Sequence, residues 1–475
     1  MAKSKKEVVV LGAGLAGLAS AHELAKAGYK VRVYEMFDFI GGLAATIRKG
    51  EFAFDTGPHR WFAKSDFVNN WMLDLMKGEI KSVKRLTRIY FDNKYFFYPI
   101  KISNALLGIG PIKAFMAIFD YGVYRIRARV LKPKIVSLED GFVNQFGRTL
   151  YNTFFKRYSE KLWGRPNTQI SADWAGQRTR GFNLLTVVKD SLFKSKKIVS
   201  FVDEFQYPEK GVGRIAEKLA EEVEKMGGKI YLNAKAVSFN ANGKNKMTGV
   251  EIEVKGKRIM ETADFYINTI PLPHLIKFMN PKAPKEIIKE SETLKFRSEV
   301  QVALFIKKTN ITPDVWIYVH SKEISFMRFM EMDNWSNVLS PKGTTTLVFE
   351  VACNEDDETW NKSDKELIEM VKNDYIKEFK TIEQKDVLGG YVHRVPFEYP
   401  VYHIGYTDSL DKIKEFLDNF TNLQTIGRNG IFRYNNMDHS IEMGLYAAWN
   451  IIEGKRKHDP YLVNIEREYL EEKKL

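Results

Sequence analysis

Val8-Val9-Val10-Leu11-Gly12-Ala13-Gly14-Leu15-Ala16-Gly17 reads as a buried parallel strand that turns sharply into a helix. Each glycine has its own task. Gly12 permits the tight turn, Gly14 lets backbone approach a diphosphate, and Gly17 lets helix and strand pack closely. The diphosphate would rest on the positive N-terminal end of that helix. Val31-Arg32-Val33-Tyr34-Glu35 follows as a second strand, and Glu35 ends it where an acid meets an adenosine ribose. Strand, glycine turn, helix, strand and acid in register predict a dinucleotide-binding unit.

A second glycine pair then follows in Phe39-Ile40-Gly41-Gly42-Leu43-Ala44. A plain NAD unit has no use for it, whereas FAD is long enough to run past the first turn and meet it. The order of glycine turn, acid and glycine pair resembles the flavoprotein family that includes amine oxidases, protoporphyrinogen oxidases and UDP-galactopyranose mutases. Two later stretches fit that resemblance. Ala263-Asp264-Phe265-Tyr266-Ile267-Asn268-Thr269-Ile270-Pro271 is similar to the strand that returns to the nucleotide sheet, and Thr425-Ile426-Gly427-Arg428-Asn429-Gly430 to its last strand and loop. The expected cofactor is FAD, with NAD(P)H as external reductant. The cofactor-binding candidates are Gly12, Gly14, Gly17, Glu35, Gly41, Gly42, His59, Val237, Gly427, Arg428 and Met437.

With 475 residues, the chain is too long for a single core. The expected fold is α/β: a discontinuous Rossmann-like FAD-binding domain, 1–75, 205–290 and 410–475, with an inserted helical and mixed α+β substrate domain, 76–204 and 291–409. Gly211 and Gly213 open an amphipathic helix from Ile215 to Met226, and Lys229–Leu232 and Ala236–Phe239 alternate like strands. A cleft over the cofactor would lie between the two domains.

The formal net charge of +13 suits nucleic acid, a membrane surface or an anionic small substrate. Basic residues are scattered, and no nucleic-acid-binding signature occurs, so nucleic acid is not expected. The single cysteine, Cys353, lies in an apolar strand-like run and excludes internal disulfides. The start runs from Lys3-Ser4-Lys5-Lys6 directly into the first strand, which predicts a cytoplasmic protein without a leader. The most lipid-like stretch, Ile102–Phe119, is broken by Pro111, Lys113 and two glycines. Contact with a membrane surface is therefore not favoured. No metal site is expected, and oligomeric state is not legible.

The run Leu150–Pro166 is rich in aromatic and basic residues. Phe154 and Tyr158 share a helical face, with Trp163 just beyond, as a core stripe or as a stacking platform for a base. Within it, Tyr158-Ser159-Glu160-Lys161-Leu162-Trp163-Gly164-Arg165 resembles the uridine-pocket segment of bacterial UDP-galactopyranose mutases, which implies substrate roles for Phe154, Tyr158 and Trp163. By the same resemblance Arg178 and Arg328 bind the diphosphate, Tyr434 lies on the phosphates, and His59 of Gly57-Pro58-His59 neighbours the flavin. The implied catalytic set is His59, Arg178 and Arg328. The chain departs from the mutase pattern at Phe62, where a second histidine is common, and at Asn436, where an aspartate is common.

The resemblance implies interconversion of pyranose and furanose forms of a nucleotide-diphosphate sugar through a reduced-flavin N5–sugar adduct. The alternative is an oxidase of the protoporphyrinogen or amine oxidase type, acting on a porphyrinogen, amine or polyprenoid. Paired arginines and stacking aromatics suit the first reading, because apolar substrates need neither.

Overall fold

The computed structural model describes residues 5–98, 102–174, 204–243 and 245–464. Among them, a five-stranded parallel sheet runs in the order Leu423–Thr425, Phe265–Asn268, Glu7–Leu11, Lys30–Tyr34, Lys229–Tyr231. The central strand is apolar on both faces because both faces are covered. Val8 and Val10 enter one hydrophobic core, while Val9 and Leu11 enter another on the opposite side. The two-residue period of a strand thus divides one valine run between two cores. Full burial of each such side chain is worth about 1.5–3 kcal/mol.

The helix Leu15–Lys26 leaves the central strand and packs along Met437–Glu453, near the other end of the chain. Their approach is set by small residues. A Cβ added at Gly444 would sit 2.4 Å from the Ala16 carbonyl oxygen, and one at Gly17 would sit 2.1 Å from that of Gly12. The predicted helix after Gly213 spans Arg214–Lys225 and covers the same side.

A second layer is a seven-stranded sheet in the order Val387–Pro400, Phe296–Ile306, Thr345–Cys353, Arg328–Glu331, Trp316–Val319, Thr87–Phe91, Lys94–Phe97. One face is apolar. Val300, Val302, Leu304, Leu347, Phe349 and Val351 join Leu367, Val371 and Tyr375 of the helix Asp364–Phe379 in a third core. The other face carries polar residues, and the candidate site lies on it. A four-stranded sheet holds Ala234–Asn242, Lys246–Val254, Lys257–Glu261 and Met279–Asn280.

The strands expected around 263–270 and 425 both join the parallel sheet, as read from the sequence. The insertion after residue 76 is less helical than its composition suggests. It begins with strands Ile80–Lys84, Thr87–Phe91 and Lys94–Phe97, two of which extend the seven-stranded sheet. The lipid-like stretch splits at Gly110 into helices Ile102–Ile109 and Pro111–Leu131. No helix among the described residues is long and apolar enough to cross a membrane. Cys353 is buried, and burial pushes its thiol up to about 12, which makes it an inert core residue.

These contacts separate two glycine-to-alanine substitutions. Gly122, in the helix Pro111–Leu131, has nothing within 4 Å of an added Cβ. Gly122→Ala is expected to stabilise the fold by about 0.5–1 kcal/mol. Gly444→Ala must push two helices apart and is expected to cost about 2 kcal/mol or more. Urea unfolding of the two variants measures both.

Candidate active site

Loops at the carboxyl ends of the parallel strands build one wall of the site, the usual ligand position in such sheets. Gly12, at φ +103°, donates its N–H to the Tyr34 carbonyl at 2.8 Å. The Ala13 N–H donates to the Glu35 carboxylate at 2.8 Å, and the Phe37 N–H donates to its other oxygen at 3.0 Å. Glu35 is buried, and burial pushes its carboxyl up despite these donors. Gly41 reaches back, donating its N–H to the Ala13 carbonyl at 2.9 Å. A Cβ at Gly42 would meet the Gly14 Cα at 3.3 Å, so the two glycine pairs lie in direct contact. The helix beginning at Leu15 has no side-chain cap and no acid in its first turn. Its free N–H groups and the bare backbone beside them suit a diphosphate.

The remaining cofactor candidates gather around this wall. Gly427, at φ +79°, would place a Cβ 3.1 Å from that of Ala16. Met437 is buried at the start of the last helix. Val237 is the extra residue of a β-bulge between Ala236 and Ser238. That strand hangs from the second one through the Ala234 N–H, which donates to the Glu35 carbonyl at 2.8 Å.

The opposite wall is the polar face of the seven-stranded sheet. His393, Gln301, Glu350, Arg328, Tyr318, Ile89 and Phe96 stand directly opposite one another in a single row across all seven strands. Arg328 donates its Nε to Glu350 at 2.5 Å, pairs with it again through Nη2, and reaches the Tyr399 hydroxyl at 3.5 Å. Burial works against the Arg328 charge, but Glu350 and then the hydroxyls of Tyr399, Tyr158 and Tyr318 outweigh it and hold the guanidinium charged. Two contacts close the walls together. Phe39 of the second glycine loop packs edge-on to His393 at 5.5 Å, and a Cβ at Gly57 would lie 3.4 Å from Glu350 Oε1.

His59 Nε2 donates to the Thr56 carbonyl at 3.0 Å, which fixes the tautomer of its neutral ring. Burial first, then Arg428 and Arg328, push its pKa down to about 4, so it is uncharged near neutral pH. Arg428 donates to the Glu398 carbonyl at 3.0 Å and to its carboxylate at 3.2 Å, with the Tyr434 ring centroid 4.7 Å from its guanidinium. Burial pushes the Glu398 carboxyl up to about 7. Burial and the neighbouring Glu350 and Glu398 push Glu299 up as well, and Glu299 accepts from Gln301 at 2.6 Å. Glu299 Oε2, Glu350 Oε1, Glu398 Oε2 and Asn435 Oδ1 are buried without a protein partner among the described residues. Orphaned polar atoms facing one cleft are the mark of a ligand site.

Arg328, Arg428, Tyr434, His59 and Tyr158 therefore come together, and Tyr158 packs on His320 at 4.9 Å. Phe154 and Trp163 are different. Phe154 is 2% exposed against Phe96 and Phe91, and Trp163 is 1% exposed against Trp174 and Tyr399. Both rings are covered by neighbours, although the Trp163 Nε1 donor has no partner among the described residues, and Tyr158 is the half-buried aromatic on that helix. A π-turn over Tyr151–Phe155 carries Phe154 into this core. Arg178 lies outside the described residues. Sequence reasoning missed Glu299, Gln301, Glu350, Glu398 and Tyr399. The available signal was polar residues alternating with valines in Ser298-Glu299-Val300-Gln301-Val302.

The model of a family described as flavin containing amine oxidoreductase matches residues 15–452. The 1-hydroxycarotenoid 3,4-desaturase of Flavobacterium sp. (strain P99-3) is 25% identical over 313 residues, 61% of this chain and 62% of that protein. A "Probable UDP-galactopyranose mutase" of Klebsiella pneumoniae is 24% identical over 226 residues, 46% of this chain and 54% of that protein. The chain thus spans under two thirds of either relative's length. In solved structures, reduced UDP-galactopyranose mutase superposes with TM-score 0.83 at 20% identity, covering 98% of this chain and 97% of that one. An oxidoreductase from Methanosarcina mazei gives 0.63 at 16% identity, covering 94% and 100%. At these identities the likeness is one of fold.

The Arg328–Glu350 pair is testable by a double-mutant cycle. Arg328→Gln and Glu350→Gln are each expected to cost about 3 kcal/mol in urea unfolding, because each strands a buried partner. The double variant is expected to cost far less than the sum.

Proposed function

The chain belongs to the flavin-containing amine oxidoreductase family and is an FAD-binding flavoenzyme, and from that premise we propose that it interconverts pyranose and furanose forms of a nucleoside-diphosphate sugar. The observation that carries this reading is the charged row: Arg328 on the sheet floor and Arg428 beside it face a cleft whose nearest carboxyls are pushed toward the neutral form. Such a site attracts an anion. The fold likeness to reduced UDP-galactopyranose mutase over nearly the whole chain supports the same reading.

Gly12, Gly14, Gly17, Gly41 and Gly42 would hold the cofactor's diphosphate and adjoining chain, and Glu35 its adenosine ribose. Reduced FAD supplies the electron pair for attack at an electrophilic carbon. Arg328 would bind the diphosphate of the sugar nucleotide. Its Nε and Nη2 are taken by Glu350 and Tyr399, which leaves Nη1 for an anionic oxygen. Fixing that charge in advance favours departure of the diphosphate without reorganisation. Tyr434, whose ring lies against the Arg428 guanidinium, would add a hydroxyl donor. Tyr158 offers the base a ring edge beside His320. His59, neutral and tied to Thr56, holds its loop without adding charge. Arg178 is proposed as the second diphosphate ligand from its sequence context alone.

A second reading draws on the carotenoid desaturase relative: oxidised FAD would accept a hydride from an apolar substrate. A hydrocarbon would offer no partner to the Arg328 Nη1 or to the orphaned oxygens of Glu299, Glu350 and Glu398, at several kcal/mol.

Calorimetric titration of the reduced protein with UDP, GDP and dTDP separates the two. Binding of at least one nucleotide is expected, together with roughly tenfold weaker binding in Arg328→Lys and an unchanged flavin absorbance spectrum. No nucleotide binding, with oxygen uptake on a polyene, would establish the second reading. A pH series tests the electrostatics. Glu398 has a carboxyl at about 7 against 4.5 for a free glutamate, so it ionises as pH rises through neutrality and its contribution to folding stability falls between those values. Nucleotide affinity is expected to drop a few-fold more between pH 6 and pH 8 in the wild type than in Glu398→Gln. Parallel profiles would remove Glu398 from the account.

A further inference from the structure

The helix Pro111–Leu131 has two apolar faces, and among the described residues only one is covered. Ala117 and Tyr121 are buried on the inner face, which lies along helices Leu138–Phe146 and Arg148–Leu150. Asp120 fixes this docking by accepting the Thr149 N–H at 2.6 Å. At 100° per residue, Ile112, Phe115, Phe119, Val123, Ile126 and Val130 fall on one stripe along the opposite side. Five of these six are 66–77% exposed, and Val123 is 46% exposed. Leu107 of the preceding helix, at 84%, and Leu131, at 67%, extend the patch. A continuous apolar stripe of this extent on a firmly anchored helix marks an interaction surface.

The charge around the stripe selects its occupant. Between Leu107 and Ile135 stand six basic residues, Lys113, Arg125, Arg127, Arg129, Lys132 and Lys134, and one acid, Asp120. Asp120 is already engaged with the Thr149 backbone. A two-fold contact with a second copy would set this patch against itself and bring like charges together. An anionic lipid surface is complementary to both features, with acyl chains for the stripe and phosphates for its basic rim. The helix is 21 residues long, about 31 Å, and is not apolar enough to cross a bilayer. We propose that it lies flat in the headgroup region of an anionic membrane and holds the enzyme at that surface. The proline, lysine and glycines that spoil a membrane-spanning reading of Ile102–Phe119 are compatible with an interfacial helix, whose polar flank stays in water.

Flotation of the FAD-loaded full chain with vesicles tests this. The protein is expected to float with phosphatidylcholine vesicles containing phosphatidylglycerol, far less with phosphatidylcholine alone, and to be released by high salt. Phe115→Ser with Phe119→Ser is expected to lower partitioning roughly tenfold or more, with flavin absorbance and thermal midpoint retained. Arg127→Gln with Arg129→Gln should weaken binding to the anionic vesicles specifically. The proposal is overturned if the wild type floats with neither vesicle. It is also overturned if Phe115→Ser with Phe119→Ser leaves flotation unchanged, or instead converts a sedimenting dimer into a monomer.

Discussion

Everything at the cofactor end of the molecule depends on how closely two stretches of backbone approach each other. The first glycine turn and the second glycine pair touch without side chains between them, and the Glu35 carboxylate bonds the Ala13 N–H to hold that contact. Gly17 lies so near Gly12 that no Cβ fits between them, and Gly444 meets Ala16 in the same way. These approaches place the first helix, and with it a positive N-terminus that has no side-chain cap and no acid in its first turn. In the proposed reading, the cofactor's diphosphate would occupy that end.

The second wall obeys a different physics. A sheet with one face on an apolar helix and one on a ligand cleft must put every other residue into each environment. Val300, Val302 and Leu304 face the helix, while Glu299 and Gln301 face the cleft. The carboxyls of Glu299, Glu350 and Glu398 are all pushed up from the ordinary glutamate range, because burial costs a negative charge more than neighbouring arginines return. Charge in this cleft is therefore carried by guanidinium groups whose carboxyl neighbours only partly compensate. The proposed anionic substrate follows from that imbalance rather than from any single residue.

The two walls were unequally legible in the sequence. The nucleotide wall is encoded locally: an apolar run, glycines at fixed offsets and an acid one strand later all lie within about forty residues of one another. The returning strands near 265 and 425 are legible only through the resemblance of their segments to the flavoprotein family, and both pair in the parallel sheet. The row from His393 to Phe96 was not found, because it exists only through the register of strands far apart in the chain. Glu350, a lone acid between Phe349 and Val351, gives no hint alone that Arg328 stands opposite. Phe154 and Trp163 share the aromatic character of a base platform, yet their neighbours bury them, and periodicity does not report neighbours. Tyr158, on the same segment, keeps part of its surface.

The order of the parallel sheet also bears on how the chain reaches this state. Its central strand, Glu7–Leu11, is flanked by Lys30–Tyr34 on one side and by Phe265–Asn268 on the other, and Leu423–Thr425 completes that edge. The first helix is covered by Arg214–Lys225 and, from farther along the chain, by Met437–Glu453. During synthesis the glycine turn therefore precedes its second flanking strand, Phe265–Asn268, and still more the helix Met437–Glu453, by long stretches of chain. Pairing of such distant segments is intrinsically slow and leaves apolar edges open meanwhile. Assembly of the nucleotide site is thus a closing event of folding, and a ligand that binds only the finished site draws the last steps forward by mass action.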